Sequence, residues 1–386
     1  MTERERFLET LLFGRPDRIP FAPGGPREST LKRWRTEGLP EGVHYMTHLV
    51  ATLGIDPPTR GSRIPKGETP GVASLGAPEA NFRMMPEFEE KLIERRASTL
   101  VVQDWKGNIC EISDKFDVRY LRNAIDFVTR RWIKCPVETR KDWPDMARRY
   151  NVDEPGRFGA DFAARAAAAR DRDWVLGFGF SGPWWQLREW CGFEGLCMMM
   201  LDDPDFVREM VAFWREFVSA MLERIFAHVV PDFIHISEDM AYKQKSMISP
   251  AMTREFLLPS WRQWCQQASA AGVPVIDEDS DGFIGELIPI WIEAGINVCD
   301  PIEVAAGNDI NAFRAAFGRK MAFRQGVDKR AIAKGGAVIR AEMARIAPVA
   351  KGGGFIPGCD HGVPSDISWP NFVDYCRILA EMTGWL

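Results

Sequence analysis

The sequence predicts an α/β fold, and within that class a (β/α)8 TIM barrel with an extended N-terminal segment and a β-hairpin insertion. Three observations predict it. The chain has 386 residues. At roughly 150 residues per domain that suggests two or three domains, but it also suits one barrel with extra segments, since such barrels run from about 250 to over 400 residues. Short apolar runs alternate with amphipathic helical stretches through the second half, as in a parallel sheet. Acidic residues recur just after those runs, where a barrel collects its functional groups. The expected layout is one domain over residues 1–386. Its N-terminal segment with insertions occupies 1–160, and the main run of β/α units occupies 161–386.

Taken in order, Arg18–Phe21 is the expected first barrel strand. Residues 98–118 read as a β-hairpin, with apolar runs on either side of Lys106-Gly107. A further strand within residues 80–130 has no clear signal. Phe162–Ala169 is an Ala-rich helix, Trp174–Phe178 a strand and Pro204–Val229 its following helix or pair of helices. Arg208, Glu209, Arg215, Glu216, Glu223 and Arg224 interrupt that last helix at helical spacing, which makes it amphipathic rather than membrane-spanning. Five more strands follow at Phe233–Ile236, Val273–Ile276, Ile296–Val298, Met321–Phe323 and Gly354–Ile356. The helices between and after them are Pro250–Ala271, Phe283–Ala294, Asp309–Phe317, Ala331–Val349 and Trp369–Met382. Ser249 and Ser368 stand where N-caps belong, with proline just inside each start. Gly272, Gly295 and Gly318 stand where left-handed helix ends belong.

Composition narrows the function classes. The chain is 46% hydrophobic and 27% charged, too apolar for disorder. Its net charge of −5 is unlike that of a nucleic-acid binder. The opening stretch is charged and amphipathic, unlike a signal peptide. The eight cysteines have no regular spacing, which favours reduced thiols. The expectation is a cytoplasmic protein with neither membrane nor nucleic-acid partner.

Acids follow five successive strands: Ser237-Glu238-Asp239, Asp277-Glu278-Asp279-Ser280-Asp281, Cys299-Asp300, Arg324-Gln325-Gly326-Val327-Asp328 and Cys359-Asp360-His361. A ring of carboxylates repels itself unless a cation or shared protons offset it, and a metal is the economical explanation. The same acids could instead cap the following helices. Only five histidines are present. His361, in a Gly/Pro-rich loop, is the functional candidate. His235 lies inside its strand and reads as structural, and His44, His48 and His228 read as peripheral. Cys359 is either a ligand or a small buried residue. Trp184, Trp185 and Trp190 are either substrate walls or core.

These residues also carry a resemblance. The chain resembles the uroporphyrinogen decarboxylase superfamily, and more closely its cobamide-dependent methyltransferase branch. The similarity runs from Arg4-Glu5-Arg6-Phe7 and Pro16-Asp17-Arg18-Ile19-Pro20, through Leu31-Lys32-Arg33-Trp34, Glu37-Gly38-Leu39-Pro40, Leu187-Arg188-Glu189-Trp190, Gly192-Phe193-Glu194 and Asp202-Asp203-Pro204. It is strongest from Ser237-Glu238-Asp239-Met240 to Cys359-Asp360-His361-Gly362-Val363-Pro364.

The resemblance implies a barrel with its active site at the C-terminal mouth. It also implies zinc, which the methyltransferases hold by a His-x-Cys-Gly motif and a final Cys. Here Asp279-Ser280-Asp281-Gly282 stands at the first position and Cys359 at the last. The implied ligands are Glu238, Asp279, Asp281, Cys359 and His361. So oxygen-rich a site suits an ether or alcohol oxygen better than a thiol. The expected function is a zinc-dependent methyltransferase component that moves a methyl group from a small methylated, methoxy-type substrate to a cobamide on a separate corrinoid protein. His361, Asp281 and Glu238 are the catalytic candidates, with Asp360 as another proton donor. Arg27, Trp184, Trp185, Arg188, Arg324 and Gln325 would bind substrate. A homodimer is compatible with this reading. The alternatives are a metal-free decarboxylase or lyase acting on a small carboxylate, and a catalytically silent binding protein. The decarboxylase's Arg-x-x-x-Arg stretch is missing, since only Arg27 stands near that place.

Overall fold

The computed structural model describes residues 1–56, 77–123 and 128–386. Helices α1 (Glu3–Leu11), α2 (Glu28–Thr36) and α3 (Tyr45–Leu53) open the chain. A four-stranded antiparallel sheet follows, β1 (Lys91–Arg95), β2 (Thr99–Gln103), β3 (Ile109–Ser113) and β4 (Arg131–Lys134), with α4 (Tyr120–Asn123) before its last strand. The expected hairpin is β2–β3. Its turn is held by Asp104, whose carboxylate accepts from the N–H groups of Lys106 and Asn108 at 3.0 and 2.9 Å.

After α5 (Trp143–Ala147) and α6 (Phe162–Ala168) comes the main sheet. Its six parallel strands lie in sequence order: β5 (Gly177–Ser181), β6 (Phe233–Ser237), β7 (Val275–Asp279), β8 (Val298–Asp300), β9 (Ala322–Arg324) and β10 (Phe355–Ile356). Between β5 and β6 lie α7 (Pro183–Cys191), α8 (Phe193–Asp202) and α9 (Pro204–Phe226). Helix α10 (Pro250–Met252) runs through one π turn into α11 (Leu258–Ala270). Then come α12 (Ile288–Ala294), α13 (Ile310–Phe317), α14 (Lys329–Lys334), α15 (Gly336–Lys351) and, after β10, α16 (Trp369–Thr383).

Several boundaries differ from expectation. The strand expected at Trp174–Phe178 starts at Gly177, because the Asp232 side chain takes the Leu176 N–H at 2.8 Å and withholds it from the ladder. The helix expected over Ala331–Val349 breaks at Gly335, where φ is +64°. Arg18–Phe21 is not a ladder strand: the Ile19 N–H donates to the Thr383 carbonyl, and the first bridge in this region is Pro26–Val363. No further main-sheet strand falls among the described residues of the 80–130 window, and residues 124–127 of it lie outside them.

The two faces of the main sheet differ. One is apolar apart from Glu278, with Phe178, Phe180, Ile234, Ile236, Phe323 and Phe355 packed under the helices in the main core. That core includes the fully buried Trp34, Trp184, Trp190, Trp214, Trp261, Trp264 and Trp291. Truncating such a side chain to Ala costs about 3–5 kcal/mol. The other face changes character along the strands. At their N-terminal ends Phe233, Val275, Val298 and Ala322 form a small apolar cluster with Leu11 of α1. Two residues further on the side chains are polar: His235 on β6, Asp277 on β7, Asp300 on β8 and Arg324 on β9. This period of two is the strand's own alternation.

Candidate functional site

The polar layer is tightly paired. His235 and Asp277 are directly opposite in the β6–β7 register. His235 Nδ1 lies 2.9 Å from Asp277 Oδ2, and Nε2 lies 3.7 Å from Asp279 Oδ2. An acidic partner at Nδ1 keeps a proton there and turns Nε2 toward Asp279. The Arg324 guanidinium donates to the same Asp277 oxygen and lies 3.3 Å from Asp300 Oδ2. Burial works against the charge on Arg324, but Asp277, Asp300 and Asp279 outweigh it and hold the guanidinium above its ordinary pKa. Burial pushes the Asp300 carboxyl up to about 6, with Arg324 pulling against it. Gln325 has a left-handed backbone (φ +66°), and its amide reaches Asp300 Oδ2 at 3.3 Å. Beside this layer β5 contributes Gly179, whose backbone is exposed and whose missing side chain leaves room next to His235.

A second cluster lies on the loops after β7 and β10. His361 Nε2 is 3.0 Å from Asp281 Oδ2. Its Nδ1 accepts from the Gly362 N–H at 2.7 Å and faces Arg27 Nη2 at 3.2 Å. Two donors at Nδ1 leave the proton on Nε2, pointed at Asp281. The Asp281 hydrogen bond draws the His361 pKa up, and burial, Lys329 and Arg27 act against it. Next to Asp281, Gly282 has φ +82°, and a Cβ there would lie 2.4 Å from the Ala241 carbonyl oxygen. Across the same end, Arg188 donates to Asp239 Oδ2 at 3.0 Å and lies over the Trp185 ring at 4.7 Å.

Two expected ligands are fully buried. Glu238 is fully buried and caps a helix from outside it. Its Oε2 accepts from the Trp185 N–H at 2.9 Å, near the start of α7, and Oε1 accepts from the Trp261 indole at 2.8 Å. The N-cap residue of α7 is Gly182, which has no side chain to do this, and a Cβ there would lie 2.1 Å from the Glu238 carboxyl carbon. Burial raises the Glu238 pKa to about 8. Cys359 is also fully buried. It belongs to the main core with Tyr375 and Cys376, and burial pushes its thiol up to about 12. Trp184 is fully buried in that core as well, so it walls no open space. Asp360 ties loops together, accepting from the N–H groups of Val304 at 2.9 Å and Lys329 at 3.2 Å.

No three of Glu238, Asp279, Asp281, Cys359 and His361 have ligand atoms within 4.8 Å of one another. Among the described residues, the group with ligand atoms all within 4.8 Å of one another is His235, Asp277 and Asp300. Asp277 and Asp300 belong to the acidic strand ends that the sequence points to, but neither is among the expected ligands, and His235 reads as structural because it lies within a strand. The signal was the alternation itself: Phe-Ile-His-Ile-Ser on β6 beside Val-Ile-Asp-Glu-Asp on β7 puts His235, Asp277 and Asp279 on one face.

A parallel α/β sheet with a buried ionic layer near its strand C-termini, and a histidine–aspartate pair on the loops beyond, defines a protein built for chemistry at the carboxyl ends of its strands. The chain belongs to the uroporphyrinogen decarboxylase (URO-D) family, whose family model matches residues 133–377. Among solved structures it is similar in fold to a methyltransferase from Methanosarcina mazei. That match has 14% identity, covers 100% of this chain and 98% of the other, and has a TM-score of 0.53. A B12-independent methionine synthase from Shewanella sp. W3-18-1, in complex with selenomethionine, matches 77% of this chain and 74% of its own at 10% identity and a TM-score of 0.38. No curated protein matches the chain. No helix among the described residues is long and apolar enough to cross a membrane.

Proposed function

We propose that this chain, folded as a single (β/α)8 barrel domain, is a methyltransferase component. It would move a methyl group from a small methoxy-type substrate to the cobalt of a corrinoid carried by a separate protein. The observation that carries this reading is the His361–Asp281 pair on the loops at the strand ends, an imidazole and a carboxylate 3.0 Å apart whose hydrogen bond draws the His361 pKa up. In the reaction the carbon–oxygen bond breaks, the methyl group goes to cobalt(I), and the oxygen takes a proton. The proton comes from the His361–Asp281 pair in its protonated state, in which Asp281 also holds the ring in place. Trp185 and Arg188 flank the substrate, and Arg27 and Gln325 orient its polar substituents. Closure of the barrel is supported by the Cys359 N–H donating to the Pro23 carbonyl at 3.2 Å and the Val363 N–H donating to the Gly25 carbonyl at 2.8 Å, which tie residues 23–25 to the segment after β10.

The zinc that the resemblance implies does not fit Glu238, Asp279, Asp281, Cys359 and His361 as they lie, since no three of them have ligand atoms within 4.8 Å of one another. The test is an assay of purified protein with methoxy substrates and a reduced corrinoid protein, following methyl–cobalt absorbance and the demethylated product. His361→Gln is expected to lower kcat by about 10²–10⁴-fold. No methyl transfer across aryl and alkyl methyl ethers sinks the reading. A second reading, a metal-free decarboxylase or lyase, is favoured by Arg27 beside His361, a cation and a proton donor placed for a small carboxylate. Release of carbon dioxide without methyl transfer would select it.

A further inference from the structure

The polar layer contains both a set of metal donors and a cation already bonded to them. His235, Asp277 and Asp300 come from three adjacent strands, are all buried, and have ligand atoms within 4.8 Å of one another. One imidazole nitrogen and two carboxylate oxygens are the donors of an open zinc-type site, with a fourth position left for water or substrate. Ligand atoms about 2.1 Å from a tetrahedral metal are about 3.4 Å apart, a spacing that falls inside the span of these three groups. Asp300 Oδ1 points the same way: it is buried with no hydrogen-bond partner among the described residues.

Arg324 stands on the same oxygens. Its guanidinium is bonded to Asp277 Oδ2 and lies 3.3 Å from Asp300 Oδ2. Its planar fork reaches both carboxylates at once, which a lysine ammonium could not do in the same geometry. A dication placed between the aspartates would sit a few ångströms from a buried positive charge, where repulsion is weakly screened. We propose that the His235–Asp277–Asp300 group is a divalent-cation site held shut by Arg324, whose guanidinium is its resident cation. A dication of the zinc or cobalt kind enters only where Arg324 has left the two aspartates. This holds whichever reaction the mouth performs.

The test uses cobalt(II) as the probe, with the full-length protein. Arg324→Gln removes the charge and keeps much of the length. It is expected to bind one cobalt(II) per chain at least tenfold more tightly than the unaltered protein, with a visible absorption band for nitrogen–oxygen ligation. Adding His235→Ala should abolish that band. The proposal is overturned if Arg324→Gln binds cobalt no more tightly than the unaltered protein, or if the band survives His235→Ala. If Arg324→Gln does not yield folded protein, Arg324→Lys takes its place. Cobalt(II) binding by Arg324→Lys tighter than that of the unaltered protein supports the proposal, and binding no tighter overturns it.

Discussion

Glu238 shows how one side chain can carry the marks of a catalytic acid and still serve the fold. It stands at a strand end, is fully buried and has a raised pKa, all features of functional carboxyls. Its hydrogen bonds go to the start of α7 and to the Trp261 indole. Glu238→Ala should therefore cost about 2–4 kcal/mol of stability, from a cavity and two unpaired donors. Glu238→Gln should cost less, since an amide oxygen still accepts. Urea denaturation of the two variants checks this, and a Glu238→Ala protein as stable as the unaltered one would sink the capping role. The residues of the polar layer were legible one at a time as acids after strands. Their pairing was not, because register decides which of Asp277, Glu278 and Asp279 faces His235. Glu278, one residue away, faces the helices instead, and its pKa is raised well above the ordinary range by burial and by nearby Glu238.

At the scale of elements, the run of strands and helices from Phe233 onward was readable because each element announces its limits. Ser249 and Ser368 do accept from the N–H groups of Met252 and Asn371, and Gly272 and Gly295 do adopt positive φ. The first half was harder to read, because its segments are fixed by partners far away in sequence. Helix α1 is an example. Arg6 binds Asp17 through paired N–H donors at 2.8 and 2.9 Å and also binds Glu3 at 2.8 Å, tying the helix to the segment after it. The Arg6 hydrogen bonds hold the Asp17 carboxyl well below the ordinary carboxylate range. A folded-state pKa below the unfolded value of about 3.9 contributes stability above that pH, and the contribution fades as pH falls through the acid range. With Asp17 42% exposed, solvent screening limits it to about 1 kcal/mol. Asp17→Asn should lower the melting temperature at pH 7, and the gap from the unaltered protein should close toward pH 2. A gap independent of pH would assign the stabilisation to something other than the charge.

At the scale of the molecule, burial divides the thiols. All eight cysteines are free, and Cys197 alone is not buried. Burial raises the Cys191 and Cys359 thiols, the latter to about 12, so neither forms the reactive thiolate near neutral pH. A chromogenic thiol reagent should count about one thiol in the native protein and eight in denaturant. Fast reaction of a second native thiol would show that the core opens where this packing says it is closed.

The small antiparallel sheet has a consequence of its own. Leu100, Val102, Trp105, Cys110, Ile112, Leu121 and Val128 form an apolar cluster separate from the main core. The sheet meets the rest through polar ties, the Lys106–Glu189 ion pair and the Tyr120 hydroxyl donating to Glu28 at 2.8 Å, and through main-chain bonds such as the Phe88 N–H to the Trp105 carbonyl at 2.9 Å. A piece that packs largely on itself can be lengthened, pruned or exchanged while the spacing of His235, Asp277, Asp300 and Arg324 stays as it is. The outline of the molecule and its chemistry are thereby free to diverge at different rates. The sheet is also the natural seam for grafting in a foreign module.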